Sequence, residues 1–414
     1  MFAPIFIVIT ICYFSYNRQC AIVFLSKWGE LEMETLYMDN AATSYPKPES
    51  VYAAVDHFNR YLGASPGRGS HQQTVQAGSI LLNAREALAR LFNISDGTRI
   101  AFTLNVTEAL NTGLKGFLNP GDHVITTSME HNAVARPLMV MSRMGVEWTA
   151  VPAASDGSLE LEQIKNAIQD NTRLICMSHA SNLTGSIMPI AEVGKIARER
   201  GIFFMVDSAQ TAGVLNLDVE KQNIDMLAFT GHKGLLGPQG TGGLYVRPGL
   251  EIRPLKEGGT GSMSEFLEQP EFMPDHLESG TPNTPGIAGL LAGVEFIQKT
   301  GREKIQKHEQ ELIAMLLEGM KQINGVLLHG PADSTQRTAV LAFNIKGMDC
   351  GDLSMRLDFE YGITTRSGLH CAPMAHQTLG TLEMGACRLS PGFFNTEADI
   401  HRVVEAVYKI ARRV

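Results

Sequence analysis

From Ser50 onward, apolar positions alternate between two periods along the chain. RIAFTL (99–104), DHVITTS (122–128), RLICMSH (173–179), IFFMVDS (202–208), DMLAFTG (225–231) and GGLYV (242–246) are short apolar runs with the length expected of buried strands. Between several of them lie stretches of helical period, such as LELEQIKNAIQD (159–170) and IAEVGKIARERG (190–201). Strand–helix–strand alternation of this kind predicts an α/β fold with a mostly parallel sheet covered on both faces. Residues 257–285 are rich in Gly, Ser, Thr and Pro and read as loop. A long helical stretch follows at 286–325, and VLLHG, AVLAFNI and EYGITTR then predict a smaller sheet, with a closing helix at 397–413. The pattern divides the chain into an apolar extension (1–32), a large domain (33–290) and a smaller C-terminal α/β domain (291–414).

Composition narrows the function classes. Of 414 residues, 44% are hydrophobic and 19% charged, enough apolar material for a proper core. A net charge of −8, with no long basic run, excludes a nucleic-acid binder that needs a basic face for phosphates. Cys12, Cys20, Cys176, Cys350, Cys371 and Cys387 form neither a CxxC pair nor a dense framework, so reduced thiols and a cytoplasmic setting are expected. The opening MFAPIFIVITICYFSY stops at Asn17-Arg18, short of a bilayer span, and a second apolar patch, CAIVFL, follows it. Either this extension anchors the chain to a membrane or, the expected case, residues before Met33 are upstream sequence, with the working protein starting at METLYMDNAATSYPKP and no membrane partner.

Ligands of open α/β sheets gather beyond the carboxyl ends of the strands. That rule nominates Thr107, His131, Asn182, Asp207 with Gln210, and the pair His232-Lys233. Each alone has a plain structural role, as a cap or a turn residue. Together they set an acid, an amine, an imidazole and polar donors along one sheet edge. Common motifs do not account for them. GPQGTGG lacks the Lys-Ser/Thr ending of a Walker loop, GGTGS does not sit in a Rossmann unit, and no G-x-S-x-G elbow occurs. His308-Glu309 opens a zinc signature, but Leu312 stands where its second histidine belongs, and no metal is expected. A buried lysine, an aspartate and a phosphate cradle at the start of a helix are what pyridoxal phosphate chemistry needs.

RGSH, NVTEALN, MEHNA, SNLTG, VDSAQ, TGHKGLLGPQGTGGLYV, SGTPNT and RSGLHCA occur in this order. In that ordered set the chain resembles the class V aminotransferase family of pyridoxal phosphate enzymes of fold type I. Within it, the chain is most similar to the cysteine desulfurases with a compact cysteine loop. The resemblance implies a large cofactor-binding domain, whose first residues pack with the small domain, and a small domain bearing the nucleophilic cysteine. It implies that Lys233 carries the cofactor, Asp207 pairs with its ring nitrogen, and His131 stacks on the ring. It places Gln210 and Asn182 on the ring oxygen and the substrate side. Val106 (through its backbone), Thr107, Thr230 and His232 then hold the phosphate, and Thr281 reaches the phosphate of a partner subunit in a homodimer. Arg388 grips the substrate carboxylate, with Arg366 and His71 also on the substrate side.

A shared fold does not fix the reaction. Cys176 and Cys350 read as small buried hydrophobes. Cys371 lies in a polar loop, TTRSGLHCAPMAH, near Arg366, and nearby cations favour a nucleophilic thiolate. The expectation is conversion of L-cysteine to L-alanine, with a persulfide on Cys371 passed to a sulfur-acceptor protein. A selenocysteine lyase, a cysteine-sulfinate-acting enzyme, or an aminotransferase with a structural Cys371 are the alternatives. Leu369, Pro373 and Phe394 depart from the commonest patterns of the family, which leaves substrate preference and acceptor open.

Overall fold

The computed structural model of the chain describes residues 35–414 apart from 68 and 70, so the extension 1–32 and part of RGSH lie outside the described residues. The strands are β1 (Leu36–Tyr37), β2 (Ile100–Thr103), β3 (His123–Thr127), β4 (Glu147–Val151), β5 (Thr172–Ser178), β6 (Phe203–Asp207) and β7 (Met226–Thr230). They continue with β8 (Gly242–Val246), β9 (Val326–His329), β10 (Leu341–Ile345), β11 (Ile363–Thr364), β12 (Arg366–Gly368) and β13 (Ala386–Leu389).

A large sheet runs in the order β2-β8-β7-β6-β5-β3-β4. Strands β3 to β7 pair in parallel, while β8 runs antiparallel to both β7 and β2. Parallel pairing aligns the carboxyl ends of β3, β5, β6 and β7 on one edge, the edge nominated from sequence. Their residues are almost all buried, because helices cover both faces and leave no solvated side. β4, EWTAV, lies at the end of the sheet and is half-exposed, which is why its pattern gave no apolar run.

A second, antiparallel sheet has the order β12-β13-β10-β9 and forms a smaller C-terminal α/β domain. The run EYGITTR proves to be divided: Ile363 and Thr364 pair with β1, and Arg366–Gly368 joins β13. Leu36 and Met38 thereby share an apolar cluster with Leu312, Leu341, Ile363 and Val407. The helical stretch 286–325 is also two helices, Thr284–Thr300 and Arg302–Lys321. They break at Gly301, whose φ of 90° lies outside the helical region.

Glycine at 242 lets β8 pass close to the start of the helix Val106–Phe117. A Cβ at Gly242 would lie 2.8 Å from the Phe229 carbonyl oxygen and 2.9 Å from the Asn105 backbone, neither of which is free to move alone. Gly242→Ala should therefore cost about 1–3 kcal/mol by overpacking. A lowered urea midpoint at unchanged slope is the expected reading, and an unchanged midpoint contradicts it.

Candidate active site

β6 ends on Asp207, and Lys233 follows the end of β7 by three residues, so adjacent parallel strands bring acid and amine to one place. The turn carrying Lys233 is braced by Leu236 N–H donating to the Lys233 carbonyl (2.8 Å) and Gly237 N–H donating to the Gly231 carbonyl (2.8 Å). One cavity is lined by Lys233, Asp207, Gln210, Asn182, His131 and Val106. Asp207 is buried and accepts the Ala209 N–H at 2.9 Å. Burial raises its pKa, against the pull of that N–H and of Lys233. Lys233 moves the other way, down to about 8: burial is the main cause, Asp207 opposes it, and Arg388 and Arg366 add to it. A lysine in that state supplies free amine near neutral pH.

His131 caps the helix Asn132–Ser142, its Nδ1 accepting the Ala133 N–H at 3.0 Å. Burial, then Lys233, Arg366, Arg136 and Arg388, push its pKa down to about 4, so its imidazole is neutral. At the other helix start, Asn105 caps Val106–Phe117 by accepting the Glu108 N–H at 3.0 Å, leaving Val106 half-buried and Thr107 exposed at the first turn. Thr230 is buried at the end of β7. His232 has its carbonyl taken by the Ser44 N–H (3.0 Å) and the Thr43 hydroxyl (3.1 Å), while its Nδ1 is buried without a partner among the described residues. Burial, then Lys233 and Lys47, lower its pKa to about 4.

Arg388 and Arg366 are directly opposite each other on β13 and β12. Arg388 is almost fully buried; its guanidinium donates to the Asn182 carbonyl (2.9 Å) and pairs with Asp39, while its Nε has no partner among the described residues. Two facing cations beside Lys233 favour an anionic substrate group between them. Asn182 donates from its side chain to the His370 carbonyl at 2.7 Å and so anchors the Cys371 loop. Asn132 N–H donates to the Cys371 carbonyl at 2.8 Å from the other side. His370 and Cys371 both have positive φ, 51° and 54°, a conformation costing about 1–3 kcal/mol per residue and held here by its surroundings. Cys371 is exposed, whereas Cys176, Cys350 and Cys387 are buried. His370 is buried and, by that burial first, brought down to about 3, so it gives Cys371 no positive charge.

Two nominated residues are elsewhere in the chain. Thr281 is exposed and lines a separate cavity of about 550 Å³ with Gly240, Lys256 and Asn283. His71 is exposed and caps the helix Gln72–Phe92 by accepting the Thr74 N–H. Three further residues carry no role in the sequence reading. Asp39 reaches Arg388 across 349 positions, a pairing with no local signal. Glu130 is fully buried beside His131, accepting from the Thr127 hydroxyl (2.6 Å) and the Ser178 hydroxyl (2.8 Å), and burial raises it to about 7. Glu309, from the rejected zinc signature, lines a small cavity with Lys233, Asn40 and Gln210, and burial raises it to about 8. No group of ligands able to hold a metal occurs among the described residues.

These shifts make stability depend on pH. The histidines 131, 179, 232 and 370 have folded values of about 3–4, below the ordinary 6.5, so stability is lost as pH falls from 6.5. Glu130 and Glu309 have folded values of about 7 and 8, above the ordinary 4.5, so stability is lost as pH rises from 4.5 towards 8. Below about pH 6.5 the more numerous histidines dominate; above it the glutamates dominate, until Lys47 and Lys233, both lowered to about 8, favour folding again as pH rises past about 8. Urea midpoints without added ligand should therefore peak near about pH 6.5; a steady rise up to about pH 8 contradicts this balance.

Residues 36–403 match the aminotransferase class-V family. The chain is 34% identical over 383 residues to a probable cysteine desulfurase of Methanothermobacter thermautotrophicus, covering 91% of this chain and 94% of that one. It is 34% identical over 386 residues to a cysteine desulfurase of Salmonella dublin, covering 91% and 93%. Among solved structures it resembles the apo cysteine desulfurase of Thermococcus onnurineus NA1, with TM-score 0.87, 30% identity and coverage of 92% and 96%. It also resembles the cysteine desulfurase CsdA of Escherichia coli in an S-sulfonic acid form, with TM-score 0.82, 29% identity and coverage of 92% and 95%. Among the described residues, no helix is long and apolar enough to cross a membrane.

Proposed function

The chain belongs to the class V aminotransferase family, and we propose that it is a pyridoxal-phosphate-dependent cysteine desulfurase that converts L-cysteine to L-alanine. One observation carries this reading beyond family membership: His131 lines both the Lys233–Asp207 cavity and the groove that holds exposed Cys371, so amine and thiol face one imidazole.

The residues fit the cofactor. Asn182 Oδ1 and His232 Nδ1 are buried without partners among the described residues, as expected of groups reserved for a polar ligand. Lys233 would hold its aldehyde carbon, Asp207 its ring nitrogen, His131 its face, and Gln210 and Asn182 its ring oxygen. Val106 (through its backbone), Thr107, Thr230 and His232 would hold its phosphate. When bound, pyridoxal phosphate supplies an electron-poor ring that stabilises negative charge at the substrate α-carbon.

The chain's own residues do the rest. Arg388 binds the substrate carboxylate, with Arg366 beside it and Asp39 fixing the guanidinium. Lys233 Nζ, neutral in part near pH 8, removes the α-proton and returns it. Neutral His131 stacks and relays protons without adding charge. The Cys371 thiolate attacks the substrate sulfur; an S–S bond forms, the substrate C–S bond breaks, and the β-carbon takes a proton to give alanine. Cys371 is left as a persulfide for an acceptor. The free state of all four described cysteines fits a reducing cytoplasm. Thr281, which lines a cavity that Lys233 does not, fits a homodimer in which it completes the partner subunit's phosphate site. Incubation with L-cysteine, pyridoxal phosphate and a thiol reductant should give alanine and sulfide in equal amounts. Consumption of a 2-oxo acid without sulfide would overturn the reading.

A further inference from the structure

Between the helix Val106–Phe117 and the helix Asn132–Ser142 runs a groove of about 280 Å³. Cys371 and His131 line it, and so do Thr107, Asn111 and Lys115, spaced four apart on one face of the first helix. Arg136 faces them from the second helix, one turn beyond its start, and is among the cations that depress His131. Thr107 to Lys115 spans about 12 Å of helix, so the groove extends along that face beyond the residues it shares with the substrate cavity.

Its charge is one-sided. Lys115 and Arg136 are exposed, neither side chain has a hydrogen-bond or ion-pair partner among the described residues, and no Asp or Glu lines the groove. The whole chain carries a net charge of −8, so two unpaired cations in one groove beside a nucleophile select anions against the overall field. A groove of this size suits a small molecule.

The geometry points to a binding site in this groove for a small thiol bearing a carboxylate, held by Lys115 and Arg136, that takes the outer sulfur from Cys371. The inference rests on the desulfurase reading and names the chemical class of a sulfur acceptor. The acceptor thiolate attacks the outer persulfide sulfur. The S–S bond to Cys371 breaks with its electron pair passing to the Cys371 thiolate, a new S–S bond forms on the acceptor, and the outer sulfur keeps its proton. No further oxidant or reductant enters the step.

The test compares the wild-type holoenzyme with Lys115→Gln/Arg136→Gln, at two surface positions whose replacement leaves the core untouched. Alkylation of Cys371 by anionic iodoacetate relative to neutral iodoacetamide, followed by peptide mass spectrometry, reports the groove without turnover. That ratio should fall about 5–10-fold in the double variant, the effect of losing two exposed charge interactions. In turnover, the KM for 3-mercaptopropionate as acceptor should rise by a similar factor, with 3-mercapto-1-propanol shifted less than about twofold. Equal shifts for acid and alcohol, or an unchanged alkylation ratio, overturn the site and leave the cations to solvent or to an acidic protein surface. Failure of the wild type to form alanine from L-cysteine would instead remove the desulfurase reading and the sulfur transfer with it. The alkylation ratio would still decide whether the groove selects anions.

Discussion

Lys233→Ala is expected to abolish alanine formation from L-cysteine, a loss of at least ~10³-fold in kcat, because the proposed mechanism gives one side chain both the cofactor and the proton to carry. The environment is built for the second role. An isolated lysine near pH 7 is almost fully charged and cannot take a proton; burial with Arg388 and Arg366 nearby brings Lys233 down to about 8. Asp207 and Asp39 limit that shift, which keeps the amine close to the working pH. Folding should survive the substitution, since removing a buried amine relieves a desolvation cost while its turn keeps its backbone bonds. A near-wild-type urea midpoint with no alanine is the expected pair of results. Residual turnover above about a hundredth of wild type would remove Lys233 from the chemistry. Arginine at 233 should not restore it, being always charged.

Much of this site was legible in sequence because parallel strands make position along the chain a proxy for position in space. Asp207 and Lys233 lie at or just past the ends of apolar runs, and neighbouring parallel strands place such ends on one edge. His131 was legible for the same reason, and its capping bond to Ala133 leaves it lining the cavity of Lys233 and Asp207. The Asp39–Arg388 pair had no such signal, because β13 is four residues long and its partner is at the opposite end of the chain. Glu130 neighbours His131 in the same motif, yet its carboxyl turns to Ser178 beneath the site, a direction that neither periodicity nor composition encodes. The reading of 286–325 as one helical stretch failed at Gly301 because apolar period continues through a residue whose backbone does not. Thr281, expected at a partner subunit's phosphate, lines a cavity that does not include Lys233, because it lies in the loop before the helix Thr284–Thr300 and not at a strand end.

Cys371→Ser separates the two halves of the reaction. The hydroxyl occupies nearly the same space at an exposed position, so fold and cofactor site should be retained. A serine hydroxyl is a far poorer nucleophile towards sulfur than a thiolate, and alanine formation should fall by at least ~10³-fold. Proton removal by Lys233 does not involve Cys371, so the variant should still exchange the α-hydrogen of L-cysteine for deuterium in heavy water. Exchange without alanine would assign Cys371 to sulfur abstraction alone. Loss of both would mean that the loop anchored by Asn182 and Asn132 positions the substrate site, with the positive φ at His370 and Cys371 serving shape rather than chemistry. Full alanine formation would move the nucleophile elsewhere. Among the described residues no replacement is evident, because Cys176, Cys350 and Cys387 are buried, with thiols that burial pushes up.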